Sequence, residues 1–418
     1  MTSHGCWAAD RDGAGADVHL ARLTLSDFRN YTSCTLALDG CSVVLTGQNG
    51  SGKTNILEAI SMLTPGRGLR GAAFSDLARL SGNGAWAVSA QLSLNGEHMS
   101  LGTGQTPQPP GSAAPSGSRA VRVDGEKAGR AGVLGDYLQV LWLIPAMDGL
   151  FTGPAAERRR FLDRMTASFD SAHRSRMNQF ERAMRQRNRL LDMGERSGRL
   201  FAAIEAQMAE IGTAIAAARI DALERLTATE APSSTEETRA FPHATLTLEG
   251  LLENALPHLA AVDVEDEYVR QLADGRERDR AAGRTLTGPH RSDLLVRHGP
   301  KDMPAQLCST GEQKALLIGL VLAHAKAVKD ARGGLAPLLL LDEIAAHLDE
   351  ARREALFEEI EALGAQAWLT GTDDDVFAPL RGRAQFFTIA NGSIAAIGGG
   401  DMQCEALHTG TGTGDWFR

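Results

Sequence analysis

The sequence predicts an α/β fold in which a head built on a buried parallel sheet is joined to a second, mainly helical lobe. Three observations predict it. The apolar run Ser42-Val43-Val44-Leu45 leads through a glycine-rich octapeptide, Gly47 to Thr54, into Asn55-Ile56-Leu57-Glu58-Ala59-Ile60, the pattern of a strand, a tight loop and a helix. Far downstream, Pro337-Leu338-Leu339-Leu340-Leu341 is a continuous apolar run of strand length, as expected where helices cover both faces of a sheet. Between them the stretch from Glu157 to Arg199 holds no proline and places Met177, Phe180, Ala183 and Met184, then Leu190 and Leu191, at helical steps.

The octapeptide Gly47-Gln48-Asn49-Gly50-Ser51-Gly52-Lys53-Thr54 is a full P-loop signature. Its glycines let the backbone turn N–H groups inward around phosphates, with the positive end of the following helix behind them. All eight residues are therefore nucleotide-binding candidates and ATP is the expected ligand. Lys53 reaches the β- and γ-phosphates, and the Thr54 hydroxyl is a ligand for Mg²⁺. The apolar run at 337–341 ends in Asp342-Glu343, as a Walker B strand does. Asp342 at the strand end holds Mg²⁺ through water, and Glu343 is placed to polarise the attacking water. Two solvated carboxylates capping a core strand are the plainer alternative.

Before that strand, Ser309-Thr310-Gly311-Glu312-Gln313-Lys314 runs into the apolar segment Ala315 to Ala325. Ser309 or Thr310 can cap the helix, whose N-terminus then offers N–H groups to an anion. The order P-loop, Ser-x-Gly-x-Gln, Walker B and Ala346-His347-Leu348-Asp349 resembles the ABC-type ATPases. In that class the signature of one head completes the nucleotide site of another. The resemblance thus implies that Ser309 acts in trans and that the chain dimerises.

Four further segments narrow the resemblance. Leu23-Thr24-Leu25-Ser26-Asp27-Phe28-Arg29-Asn30-Tyr31, the extension Asn55 to Ile60, Gly153-Pro154 with Arg158-Arg159-Arg160-Phe161-Leu162-Asp163, and Thr287-Gly288-Pro289-His290-Arg291 together resemble the RecF family, over roughly residues 18 to 395. The resemblance implies an ABC/SMC-like P-loop ATPase head with a helical second lobe, and it adds Arg29 and Asn30 to the nucleotide site. It also implies ATP-dependent homodimerisation on single-stranded or gapped duplex DNA, with weak DNA-dependent hydrolysis. The expected role is gap repair and SOS induction, beside RecR and RecO and indirectly RecA. An ATP-gated DNA clamp with incidental hydrolysis is the alternative. A transport ATPase subunit is the remaining rival, disfavoured by the long N-terminal strand pattern and the basic helical insertion. The chain departs from the family where Ser292 precedes Asp293, since two acidic residues are usual there. Gln139 is the nearest candidate for a Q-loop glutamine, and the switch strand reads Ala367-Trp368-Leu369-Thr370-Gly371-Thr372-Asp373, with no histidine.

Composition agrees with a cytoplasmic protein. The 418 residues are 43% hydrophobic, enough for more than one core. No apolar run approaches the ~20 residues of a membrane span, and the N-terminus lacks the apolar stretch of a signal peptide. Five cysteines, Cys6, Cys34, Cys41, Cys308 and Cys404, show no metal-ligand spacing and are expected to be reduced. A net charge of −9 argues against DNA binding by the whole surface. Between Glu157 and Arg199, however, basic residues outnumber acidic ones about two to one, and Arg182, Arg185 and Arg189 are the DNA-contact candidates, with a solvated helix face as the plainer alternative. The expected organisation is a tail at 1–17, the first part of the head at 18–149 with a Pro/Gly/Ser-rich insertion at 105–118, the helical arm at 150–284, the rest of the head at 285–398 and a tail at 399–418.

Overall fold

The first strand, β1 (Val18–Phe28), shows how patterning sets the architecture. It buries Val18, Leu20, Leu23, Leu25 and Phe28. The alternation slips by one residue after Leu20 because a bulge lies between Leu20 and Arg22. In the computed structural model, residues 17–106, 119–229, 240–345, 348–390 and 392–397 are described. The proposed tails apart from Asp17, the insertion from 107 onward, the turn Ala231 to Ser234, the pair Ala346-His347, and Cys6 and Cys404 lie outside them.

The chain forms two compact units, Met1–Met147 with Val328–Arg418, and Asp148–Ala327. In the first, β2 (Tyr31–Ala37) turns back on β1. The chain then crosses to a second sheet through β3 (Ser42–Thr46), which feeds α1 (Lys53–Ser61). Strands β4 (Trp86–Leu94), β5 (Glu97–Gln105), β6 (Ala120–Val123) and β7 (Glu126–Ala128) complete an antiparallel sheet in the order β2-β1-β4-β5-β6-β7. A short helix, α2 (Leu134–Tyr137), leads to β8 (Val140–Leu143).

The second unit is mainly helical. It contains α3 (Ala155–Phe169), α4 (His173–Asp192), α5 (Gly198–Thr229), β9 (Ala244–Glu249), α6 (Leu251–Ala255), α7 (Ala261–Asp274), α8 (Arg276–Ala282), β10 (Asp293–His298), β11 (Met303–Pro304) and most of α9 (Thr310–Ala331). Its core gathers Phe180 and Ala183 of α4, Met208 and Ile215 of α5, and Tyr268 and Leu272 of α7. Two buried arginines organise it. Arg187 binds Glu205, Asp279, Thr285 and the Leu272 carbonyl, and Arg219 binds Asp163, Glu253 and the Pro289 carbonyl. A buried guanidinium needs such a full set of acceptors, so each arginine fixes how several elements meet. By length and composition α5 is apolar enough within Gly198–Ala228 to cross a bilayer, yet 50% of its apolar 18-residue stretch is buried inside the protein and the helix carries the paired Glu205 and Arg219.

The chain returns to the first unit through β12 (Leu338–Leu341), α10 (Glu350–Leu363), β13 (Ala367–Gly371), β14 (Ala384–Ala390) and β15 (Ser393–Ala396), giving the sheet β15-β14-β3-β13-β12-β8. All neighbours in it are parallel except β14 and β15. The second unit runs on to Ala327, whereas the patterning placed the return to the head at 285. The reason lies in pairing: β10 forms its ladder with β9, within the helical unit.

Candidate nucleotide-binding site

Strand β3 delivers the P-loop at its C-terminal end, and the loop's backbone admits little but glycine. Gly47 sits at φ 144°, and a Cβ there would lie 2.3 Å from the Ile389 carbonyl oxygen. Gly52 sits at φ 117°, with Asn30 Nδ2 and Tyr31 OH each 2.6 Å from a would-be Cβ. Gly50 differs, having no atom within 4 Å of that position. Lys53 curls back over the loop and donates to the carbonyls of Gly47 (2.6 Å) and Gln48 (3.0 Å). Burial depresses the pKa of its ammonium, while the charges of Glu343 and Asp342 oppose that shift. The Ser51 hydroxyl is buried within the loop without a hydrogen-bond partner. An orphaned hydroxyl, an ammonium held by neutral acceptors and an open glycine fit a polyphosphate.

The Walker B residues meet this loop from β12, one strand removed from β3, with β13 between. Thr54 Oγ1 lies 3.1 Å from both carboxylate oxygens of Asp342. A hydroxyl and a carboxylate brought together supply the hard oxygen ligands that Mg²⁺ prefers. From β13, Thr370 donates to Asp342 Oδ1 (2.7 Å) and accepts the Glu343 backbone N–H (2.9 Å). Glu343 itself has φ 55°, a left-handed conformation that a non-glycine residue keeps only when neighbours hold it. Thr370 is fully buried with its hydroxyl satisfied, so it orients both acidic residues.

Arg29 and Asn30, assigned to the nucleotide by resemblance, are placed behind the loop. Arg29 Nε and Nη2 donate to the two oxygens of Glu58, at 2.8 and 2.7 Å. Asn30 Nδ2 donates to the Ser51 carbonyl (3.3 Å), and Tyr31 OH donates to the Gly52 carbonyl (3.1 Å). Glu58, Arg70, Tyr31 and the role of Thr370 were missed in the sequence. The one available signal was Glu58, a carboxylate in the otherwise apolar Ile56-Leu57-Glu58-Ala59-Ile60. Gln139 is placed far from this chemistry. It lies at the start of β8 beside Leu338, whereas Asp342 follows the other end of the paired strand, about 13 Å away at ~3.3 Å per residue.

In the second unit, Ser309 is exposed at the start of α9 and forms a reciprocal cap with Glu312. Ser309 N and Oγ donate to Glu312 Oε2 at 2.8 and 2.9 Å, and Glu312 N donates back to the hydroxyl. Lys301 also pairs with Glu312, and it and the Ser309 donors hold this carboxyl down at about 2. Arg182, Arg185 and Arg189 form an exposed stripe on α4, opposite buried Phe180, Ala183, Arg187 and Leu191. Other arginines of the basic run are engaged internally: Arg158 with Asp293, Arg176 with Asp170, and Arg187 as above. The Ser292 departure is accommodated locally, because Ser292 Oγ donates to Glu253 (2.7 Å) while Asp293 takes Arg158 in two bonds.

The strand order, the P-loop and the Walker B pair beside it define a P-loop ATPase head of the ABC/SMC kind. Residues 19–385 match the family described as RecF/RecN/SMC N terminal domain. A protein named DNA replication and repair protein RecF in Mesorhizobium japonicum is 52% identical over 379 residues, covering 91% of this chain and 98% of the relative. One of the same name in Brucella suis is 52% identical over 382 residues, covering 91% and 97%. The fold resembles two solved structures of the recombination mediator protein RecF in the RecFOR pathway. The RecF-ATPrS structure has a TM-score of 0.79 at 21% identity, covering 92% of this chain and 100% of that one, and the RecF-ATP structure has 0.78 at 20% identity, covering 93% and 100%. The chain belongs to the RecF family.

Proposed function

We propose that this chain is an ATP-dependent DNA-binding protein of recombinational repair and replication. It dimerises on single-stranded or gapped duplex DNA through two nucleotides held between its copies. The observation that carries this reading is the cluster Thr54–Asp342–Thr370–Glu343 beside the P-loop. The loop N–H groups and Lys53 hold the phosphates of ATP, and Thr54 and Asp342 hold Mg²⁺, which when bound neutralises phosphate charge. Glu343 orients a water and takes its proton, and Thr370 holds the Asp342 carboxylate and the Glu343 backbone. Ser309 of a second copy closes the site over the γ-phosphate, and hydrolysis, slow and DNA-dependent, opens it again. The exposed arginines of α4 bear on the DNA backbone. The relatives' names, DNA replication and repair protein RecF and recombination mediator protein RecF in the RecFOR pathway, support a role in DNA repair beside recombination mediators, and we place it in gap repair with RecO and RecR, upstream of RecA and in the cytoplasm. A clamp in which hydrolysis is incidental would keep the same residues. Sedimentation with ATP and gapped DNA tests the proposal. A dimer that needs ATP in wild type and is lost in Lys53→Met supports it, and a monomer under all conditions contradicts it.

A further inference from the structure

Arg29 sits in the turn between β1 and β2 at φ 55°, a conformation arginine rarely adopts, and its backbone N–H is pinned to the Leu77 carbonyl (2.8 Å). The edge of its guanidinium that recognises carboxylates and phosphates in two bonds is closed by Glu58, and Nη1 donates to the Asp76 carbonyl (2.8 Å). Glu58 is fully buried and takes a third bond, from Arg70 at 3.0 Å. Arg70 in turn donates to Asn55 Oδ1 (2.9 Å), Asn55 Nδ2 donates to Asn30 Oδ1 (2.7 Å), and Asn30 Nδ2 reaches the Ser51 carbonyl. One chain of hydrogen bonds therefore runs from the turn, through α1, to the back of the P-loop. Asn55 and Glu58 are three residues apart on one helix face, so a single clamp sets both the tilt and the rotation of α1. The first turn of that helix presents its N–H groups to the phosphates.

We propose that Arg29 is a positioning residue of the ATP site, which acts by clamping Glu58 and holding α1 and the P-loop in register, without touching the nucleotide. This rests on the P-loop reading above. A direct phosphate contact and a clamp respond in opposite ways to Glu58→Gln. Removing the carboxylate would release Arg29 toward a phosphate in the first case and loosen α1 in the second.

The test compares wild type, Arg29→Lys, Glu58→Gln and the double variant by MgATP affinity and by the split between KM and kcat. The clamp requires both single variants to lose affinity by a similar factor, about tenfold, and the double to be no worse than either. Glu58→Gln that binds ATP as tightly as wild type, beside a weakened Arg29→Lys, overturns the proposal. Amide exchange on the nucleotide-free proteins is the second arm. Arg29→Lys should speed exchange across Gly50 to Leu57, and unchanged exchange in a folded variant overturns the clamp. Should Glu58→Gln fail to fold, Arg70→Met removes the outer partner alone and should show the same loosening. The exchange arm needs no nucleotide, so wild type that failed to bind ATP would count against the P-loop reading and leave the clamp to be decided by exchange.

Discussion

Lys53 and Glu343 divide binding from chemistry at the level of single side chains. Lys53→Met should abolish ATP-dependent dimerisation in a protein that melts like wild type, since among the described residues the ammonium makes two bonds, both to loop carbonyls, and no ion pair. Glu343→Gln should bind ATP with near-normal affinity, turn over ~100-fold or more slowly, and accumulate the ATP-bound dimer, measured by single-turnover hydrolysis. Thr370→Val removes the hydroxyl that serves both acidic residues, and a fall in kcat larger than the rise in KM is the expected result. The P-loop and Walker B residues were legible because each motif is contiguous and sits between a readable strand and its successor. Thr370 and Glu58 were not, because their partners lie 28 and 29 positions away and only the folded register brings them together.

Among the elements, α4 carries opposite roles on its two faces. Replacing Arg182, Arg185 and Arg189 together by alanine should change stability by no more than ~0.5 kcal/mol per position, as is usual for exposed sites. The same change should reduce the slope of log affinity for DNA against log salt by roughly one for each phosphate that is no longer neutralised. Unchanged salt dependence would assign the stripe to solvent. Arg187→Ala, two residues from Arg185, should instead cost about 3–5 kcal/mol in urea unfolding, because Asp279 and Glu205 stay buried with fewer partners. Basic composition alone could not sort these arginines, since Arg187 and Arg185 differ only in which way the helix turns them. In α9, His324 is buried against Phe169 and bonded to Ser168, and burial pushes its pKa down to about 3. Its unfolded pKa near 6.5 is higher, so the unfolded chain binds the extra proton. Stability should therefore fall as pH drops from about 6.5 toward 3, and His324→Gln should flatten that part of the curve relative to wild type. The boundary of the helical unit was misplaced for a related reason. Periodicity marks helices and strands, but only the ladder between β9 and β10 shows which unit a strand joins.

For the whole molecule, we propose that two copies complete the site, the exposed Ser309 cap of one chain serving the P-loop of the other. Ser309→Arg should bind ATP nearly as well as wild type yet remain monomeric, because the bulk falls on the surface offered to the facing copy. The most direct test mixes Ser309→Arg with Lys53→Met at varied ratios and follows ATP hydrolysis. Such a pair contains one composite site, the intact P-loop of the first chain and the intact signature of the second. Hydrolysis that peaks at intermediate ratios is the result expected of completion in trans. A flat line at the level of the separate variants, with both proteins folded, would mean that Ser309 only caps its own helix, and would contradict the dimeric site.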